Sequence, residues 1–140
     1  MSESVSESGS ERRRVSAARQ LSRVRRGETT RFAVAEQKGY VTTGRSDDGR
    51  LEEVVIRMAK QGSTLAGTTD AVSQAISLGL QAGAPLETYV SELADMRFPP
   101  AGRTDDPELP TATSIMDYVA RRLAVDDLPS RRRGTSASTG

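Results

Sequence analysis

The chain contains no cysteine, no histidine and no tryptophan, and each gap closes off a kind of chemistry. Without cysteine there is no disulfide, no thiolate zinc site and no thiol nucleophile. Without histidine the commonest metal ligand and general base is missing. Aromatic residues make up 4% of the sequence and apolar residues 35%, so a core must rest on Val, Leu, Ile, Met and Ala rather than on large rings. No stretch approaches the ~18 apolar residues of a membrane span, and the opening MSESVSESGSERRR has no apolar leader segment. A cytoplasmic protein that does not contact a membrane is expected.

What is present is charge, unevenly placed. The net charge of +1 over 140 residues hides arginines crowded between Arg12 and Arg31 and again at Arg131–Arg133, with an acidic middle. Residues 1–27 hold too little apolar surface to offset ordering entropy and read as a disordered basic arm. Residues 28–128 read as one folded domain, and residues 129–140 as a disordered tail. Within the arm, Val15, Ala18, Leu21 and Val24 recur at helical spacing, but so short a helix orders only against a partner. Arg12, Arg13, Arg14, Arg19, Arg23, Arg25 and Arg26 are candidate contacts to phosphates or to an acidic protein, with salt-dependent affinity. No aromatic is interleaved to stack on bases, and Glu11 and Glu28 dilute the charge.

From Phe32 onward the periodicity is two. Phe32 and Val34 alternate with smaller or polar neighbours, Gly39 supplies a turn, and Tyr40 and Thr42 continue the alternation. Asp48-Gly49 marks a second turn, after which Val54, Ile56 and Met58 share one face and Val55 and Arg57 the other. This predicts a three-stranded antiparallel meander. The period then becomes 3.6. Leu65, Thr69, Val72, Ile76 and Leu80 line one face of a helix that Gly83 ends, and Pro85 opens a second helix with Leu86, Val90 and Leu93 inward. Pro99-Pro100 forces an extended exit. A third helix, capped near Thr113 or Ser114, places Ile115, Tyr118, Val119 and Leu123 inside. Strands followed by helices predict an α+β fold, with three helices packed on one face of a small sheet.

The carboxylates Asp70, Glu87, Asp105, Asp106 and Asp117 suit hard cations or acid–base work in type. Their positions favour structure instead: Glu87 and Asp117 fall in first turns of helices, and Asp105-Asp106-Pro107 is turn chemistry. The glycines at 62, 67, 79 and 83 match no phosphate-binding signature and suit close packing and caps. Arg97-Phe98 before Pro99-Pro100 joins a cation, a ring and a rigid loop, a combination enriched at interfaces, with a ring that simply caps the core as the competing reading.

The run MAKQGSTLAGTTDAVSQAISLGLQAGAPLETYVSELADMRFPPAGRTDDPELPTATSIMDYVARRLAVDDL resembles the TSCPD-type C-terminal domain of class II, adenosylcobalamin-dependent ribonucleoside-diphosphate reductases, most strongly the actinobacterial forms. Lys60-Gln61-Gly62-Ser63, Ser77-Leu78-Gly79-Leu80-Gln81, Arg97-Phe98, Pro100-Ala101-Gly102 and Asp105-Asp106-Pro107 carry the likeness, which covers most of Arg31–Leu128. The cysteine that gives the motif its name is absent, and the 140 residues hold no counterpart of the radical barrel or of the terminal cysteine pair. The resemblance therefore implies a free-standing module, accessory or regulatory in deoxyribonucleotide supply and non-catalytic by itself. Its expected partner is a class II reductase, and adenosylcobalamin enters only through that partner. Nucleotide binding follows by analogy alone. No catalytic or metal-binding residue is assigned, and the cofactor-binding residues stay open. The candidate interface is Lys60, Gln61, Arg97, Phe98 and Pro100. The alternative is a basic-armed protein that binds nucleic acid or an acidic protein.

Overall fold

The structure, a computed structural model, describes residues 26–128. Strands β1 (Arg26–Val34), β2 (Gln37–Arg45) and β3 (Leu51–Met58) form an antiparallel sheet in the order β1-β2-β3. Helices α1 (Ser63–Gln81) and α2 (Leu86–Leu93) follow. Two short strands, β4 (Gly102–Arg103) and β5 (Thr111–Ala112), then pair with each other before helix α3 (Ile115–Asp127). This is the expected α+β order. β1 begins at Arg26, so the sheet takes in Arg26 and Gly27, which the sequence reading gave to the arm. None of the described helices is long and apolar enough to cross a membrane.

The β1–β2 turn is not at Gly39. It falls on Ala35 and Glu36, both with positive φ (48° and 71°), the two-residue geometry whose twist suits a hairpin. Gly39 lies inside β2 in one cross-strand row with Phe32 and Met58. A Cβ there would sit 2.8 Å from both the Met58 sulfur and the Phe32 ring, and 2.9 Å from the Arg57 carbonyl oxygen. That glycine marks a close approach within a strand rather than a turn. The inner residues of β2 are consequently Gly39 and Val41, and Tyr40 stands on the outer face. The second turn does form at Asp48-Gly49, where Gly49 has a φ of 88° and the Ser46 and Arg50 backbones close the loop.

The core joins Phe32, Val34, Val41, Val54, Ile56 and Met58 of the sheet to Ile76 and Leu80 of α1 and to Ile115, Tyr118, Val119 and Leu123 of α3. α1 is more than an apolar lid. Ser77 Oγ accepts from the Val54 N–H (2.9 Å) and donates to the Val54 carbonyl (3.1 Å), Ser73 Oγ accepts from the Ile56 N–H (2.9 Å), and Gln81 donates to the Glu52 carbonyl (3.1 Å). Four helical residues rise about 6 Å and two strand residues about 6.6 Å, so an antiparallel helix can match every fourth residue to every second strand position. The polar side chains thereby satisfy backbone groups that an edge strand would otherwise leave open. By the same register Leu65 falls beyond the end of β3. It is 45% exposed, not on the buried face where its spacing placed it.

Gly83, with φ 100°, ends α1. Its N–H bonds the Leu80 carbonyl and the Ala84 N–H bonds the Gly79 carbonyl, the paired closure that a left-handed residue makes possible. α2 packs against α3, and Arg45 of β2 pairs with Asp127 at the end of α3. Ile76 is 4% exposed. Ile76→Ala is therefore expected to cost about 2–5 kcal/mol, read as a lowered denaturation midpoint. An unchanged midpoint would place the helix in another phase.

Candidate docking site on the loop before the third helix

α3 starts at Ser114, whose hydroxyl accepts from the Asp117 N–H at 2.9 Å, an N-cap of the expected kind. The Asp117 carboxylate does more than favour the helix N-terminus. One oxygen accepts from the Asp95 N–H (2.7 Å) and the other from the Thr113 N–H (2.9 Å), and Arg121 one turn on pairs with it at 2.9 Å. Asp117 thus joins the two ends of the segment 95–113. Two further bonds close the clasp: the Phe98 N–H donates to the Thr113 carbonyl (3.1 Å) and the Thr113 hydroxyl donates to the Met96 carbonyl (2.8 Å).

The far part of the loop is held as firmly. Asp106 accepts from the Tyr118 hydroxyl (2.7 Å) and from Arg122 (2.8 Å), which also pairs with Glu108 and Asp126. Asp105 accepts from the Ala33 N–H (2.9 Å), and Thr104 bridges to Val34. The loop therefore continues the sheet past β1 before β4 and β5 turn it back. Burial pushes the carboxyls of Asp106 and Asp117 upward, but hydrogen bonding outweighs it and both end below the usual range. Tyr118 and Arg122 act on Asp106, and the Asp95 and Thr113 amides with Arg121 act on Asp117. Burial, reinforced by Asp106, pushes the Tyr118 hydroxyl upward. Asp117 thus holds two backbone amides, and Asp106 ties the loop to the Tyr118 and Arg122 side chains. Among the described residues, no group of three or more His, Cys, Asp or Glu could hold a metal ion.

The clasp presents a short exposed run. Met96 is 42% and Phe98 39% exposed, and Arg97 between them is exposed. Phe98 stands outside the core cluster, so its ring does not close the core. Pro100 follows, half-buried. Sequence reasoning missed Met96, which its position beside Arg97-Phe98 could have signalled. Lys60 and Gln61, also exposed, lie in the turn after β3, where Lys60 borders a small groove with Lys38 and Glu36. Of the seven candidate arginines, Arg26 opens β1 opposite Arg45, and Arg12, Arg13, Arg14, Arg19, Arg23 and Arg25 lie outside the described residues.

A rigidly held loop with an exposed ring, thioether and guanidinium suits recognition of another protein. The chain is 54% identical over 115 residues, 82% of its length, to a vitamin B12-dependent ribonucleotide reductase of Streptomyces avermitilis and equally to that of Streptomyces coelicolor. It is 40% identical over 97 residues, 69% of its length, to the protein of that name in Rhodopirellula baltica. The chain spans 12% of the length of the two Streptomyces relatives and 9% of the Rhodopirellula one. No solved structure matches the chain. The TSCPD domain pattern matches residues 11–126, reaching into the basic arm and so further toward the N-terminus than the residues that carried the resemblance. With a match over most of its length and this level of identity to the reductases, the chain belongs to the TSCPD domain family.

Proposed function

We propose that this TSCPD domain is an accessory or regulatory module of deoxyribonucleotide supply for DNA synthesis. In this reading it acts in the cytoplasm by docking, through Met96, Arg97 and Phe98, onto a vitamin B12-dependent, class II ribonucleotide reductase. The observation that carries the reading is the exposed 96–98 run, which lies in the segment 95–113 whose two ends Asp117 holds together. Identity of 54% to a stretch that makes up 12% of a reductase supports it, because such a stretch has a surface that meets the rest of its enzyme.

The module is non-catalytic by itself. Ribonucleotide reduction requires a thiyl radical to abstract hydrogen and a dithiol to supply electrons, and the 140 residues contain no cysteine for either role. Adenosylcobalamin belongs to the partner.

Binding of the full chain to a class II reductase, measured by titration calorimetry, tests the reading. Phe98→Ala and Arg97→Ala are each expected to weaken it by about tenfold or more, as residues at the centre of an interface do. Both side chains are exposed, so the fold should be untouched. A Phe98→Ala chain that binds as tightly as the parent would move the docking site off this loop. Conversion of a ribonucleotide to its deoxy form by the chain alone, with adenosylcobalamin and a dithiol, would end the non-catalytic reading.

A further inference from the structure

The outer face of the sheet, opposite the helices, is set by the strand registers. Arg31, Tyr40 and Arg57 form one cross-strand row. Beside it Ala33 pairs with Lys38, and on the other side Thr29, Thr42 and Val55 make a row of small residues, with the two threonine hydroxyls 2.9 Å apart. Arg31, Lys38 and Arg57 are exposed, and Tyr40 is 41% exposed on the central strand. Lys60 adjoins Lys38 at the same end of the sheet.

None of these four cations makes an ion pair among the described residues. Glu36 borders one groove with Lys38 and Lys60, and Asp70 borders another with Arg57, without an ion pair in either among the described residues. By contrast, Arg45, Arg121 and Arg122, on the inner side of the molecule, are all paired. Arg31 and Arg57 thus stand exposed on either side of Tyr40 with no ion pair among the described residues.

We infer that this face binds single-stranded nucleic acid, with a base stacked on Tyr40 and backbone phosphates at Arg31 and Arg57. The strands are about 4.8 Å apart, so the two arginines flank the ring from either side of the central strand. An aromatic on a flat, open sheet between cations is the arrangement that reads unpaired bases with little sequence preference. The small residues at 29, 42 and 55 leave room for the chain to run across the face. A free mononucleotide is the weaker fit, since small ligands take concave sites that bury most of their surface. This inference does not rest on the docking reading, which uses another face.

The test is fluorescence anisotropy of the full chain with a labelled oligothymidylate of about 16 nucleotides, over a range of salt concentrations. Tyr40→Ala should weaken binding about tenfold and leave the salt slope unchanged, while Tyr40→Phe should bind like the parent. The double variant Arg31→Gln, Arg57→Gln should reduce the salt slope by about 1.4, the loss of two phosphate contacts on a single strand. All three positions are on the outer face, and an unaltered denaturation midpoint confirms each variant's fold. Variants that bind as the parent does would place the strand elsewhere. Equal affinity for a duplex, or equal competition by polyglutamate, would replace the inference with a general polyanion surface, and absence of binding by the parent would remove it.

Discussion

Tyr118→Ala is expected to lower stability by about 3–5 kcal/mol, the cost of deleting a large aromatic side chain from a core. Tyr118 is 0% exposed, its ring centroid lies 4.8 Å from that of Phe32, and its hydroxyl donates to Asp106 at 2.7 Å. The side chain therefore links three parts of the fold: α3, the first strand and the loop that leads to β5. The chain has only five aromatic residues, and the ring beside Tyr118, Phe32, is itself buried in the core. A domain stabilised by about 5–15 kcal/mol would lose a large fraction of its margin. Tyr118→Phe keeps the ring and removes only the hydroxyl, so a smaller loss of about 1–2 kcal/mol is expected. Denaturant midpoints of the two variants separate packing from hydrogen bonding. Equal losses would mean that the ring contributes little.

Asp117→Ala should cost about 3 kcal/mol, because it strips charged acceptors from two backbone amides and leaves Arg121 without its partner. The effect differs from that of a core deletion in its dependence on pH. The folded carboxyls of Asp117 and Asp106 lie below their unfolded range. Their contribution is complete above the unfolded value of about 3.9 and is lost as pH falls through the lowered folded values. The parent should accordingly lose stability on acidification below about pH 4, and Asp117→Asn should show a shallower loss. Chemical denaturation at a series of pH values provides the check. Identical pH profiles for parent and Asp117→Asn would show that this carboxylate does not hold the loop.

The three strands, α1 and α3 were legible because each buries a periodic apolar face, whereas α2 buries no residue fully and only packs Leu86, Tyr89 and Leu93 against the core. Val54, Ile56 and Met58, or Ile115, Tyr118, Val119 and Leu123, show such a face without reference to any distant residue. What escaped depends on contacts far apart in sequence. Ser73 and Ser77 look like solvated positions, yet both are buried against β3, where their hydroxyls bond Ile56 and Val54. Gly39 resembled a turn because glycine usually signals one, whereas the turn falls on Ala35-Glu36, which carry no such signal. β4 and β5, of two residues each, are too short to show periodicity.

At the candidate site, the ring and cation of Arg97-Phe98 stood out from composition and from the prolines beside them. The helical position of Asp117 was equally plain. Its hold on the Asp95 amide, 22 residues away, was not, since only the folded chain brings α2's exit to α3's start. That clasp turns an ordinary first-turn acid into the support of the loop before α3.

Hydrogen–deuterium exchange of the full chain, with and without a class II ribonucleotide reductase, tests the docking claim most directly. Exchange across Met96–Gly102 should slow when the reductase is added, while the outer face of the sheet, at Tyr40 and Arg57, stays as it was. Protection confined to the sheet face, or no protection in Met96–Gly102 under conditions where the two proteins bind, would contradict it.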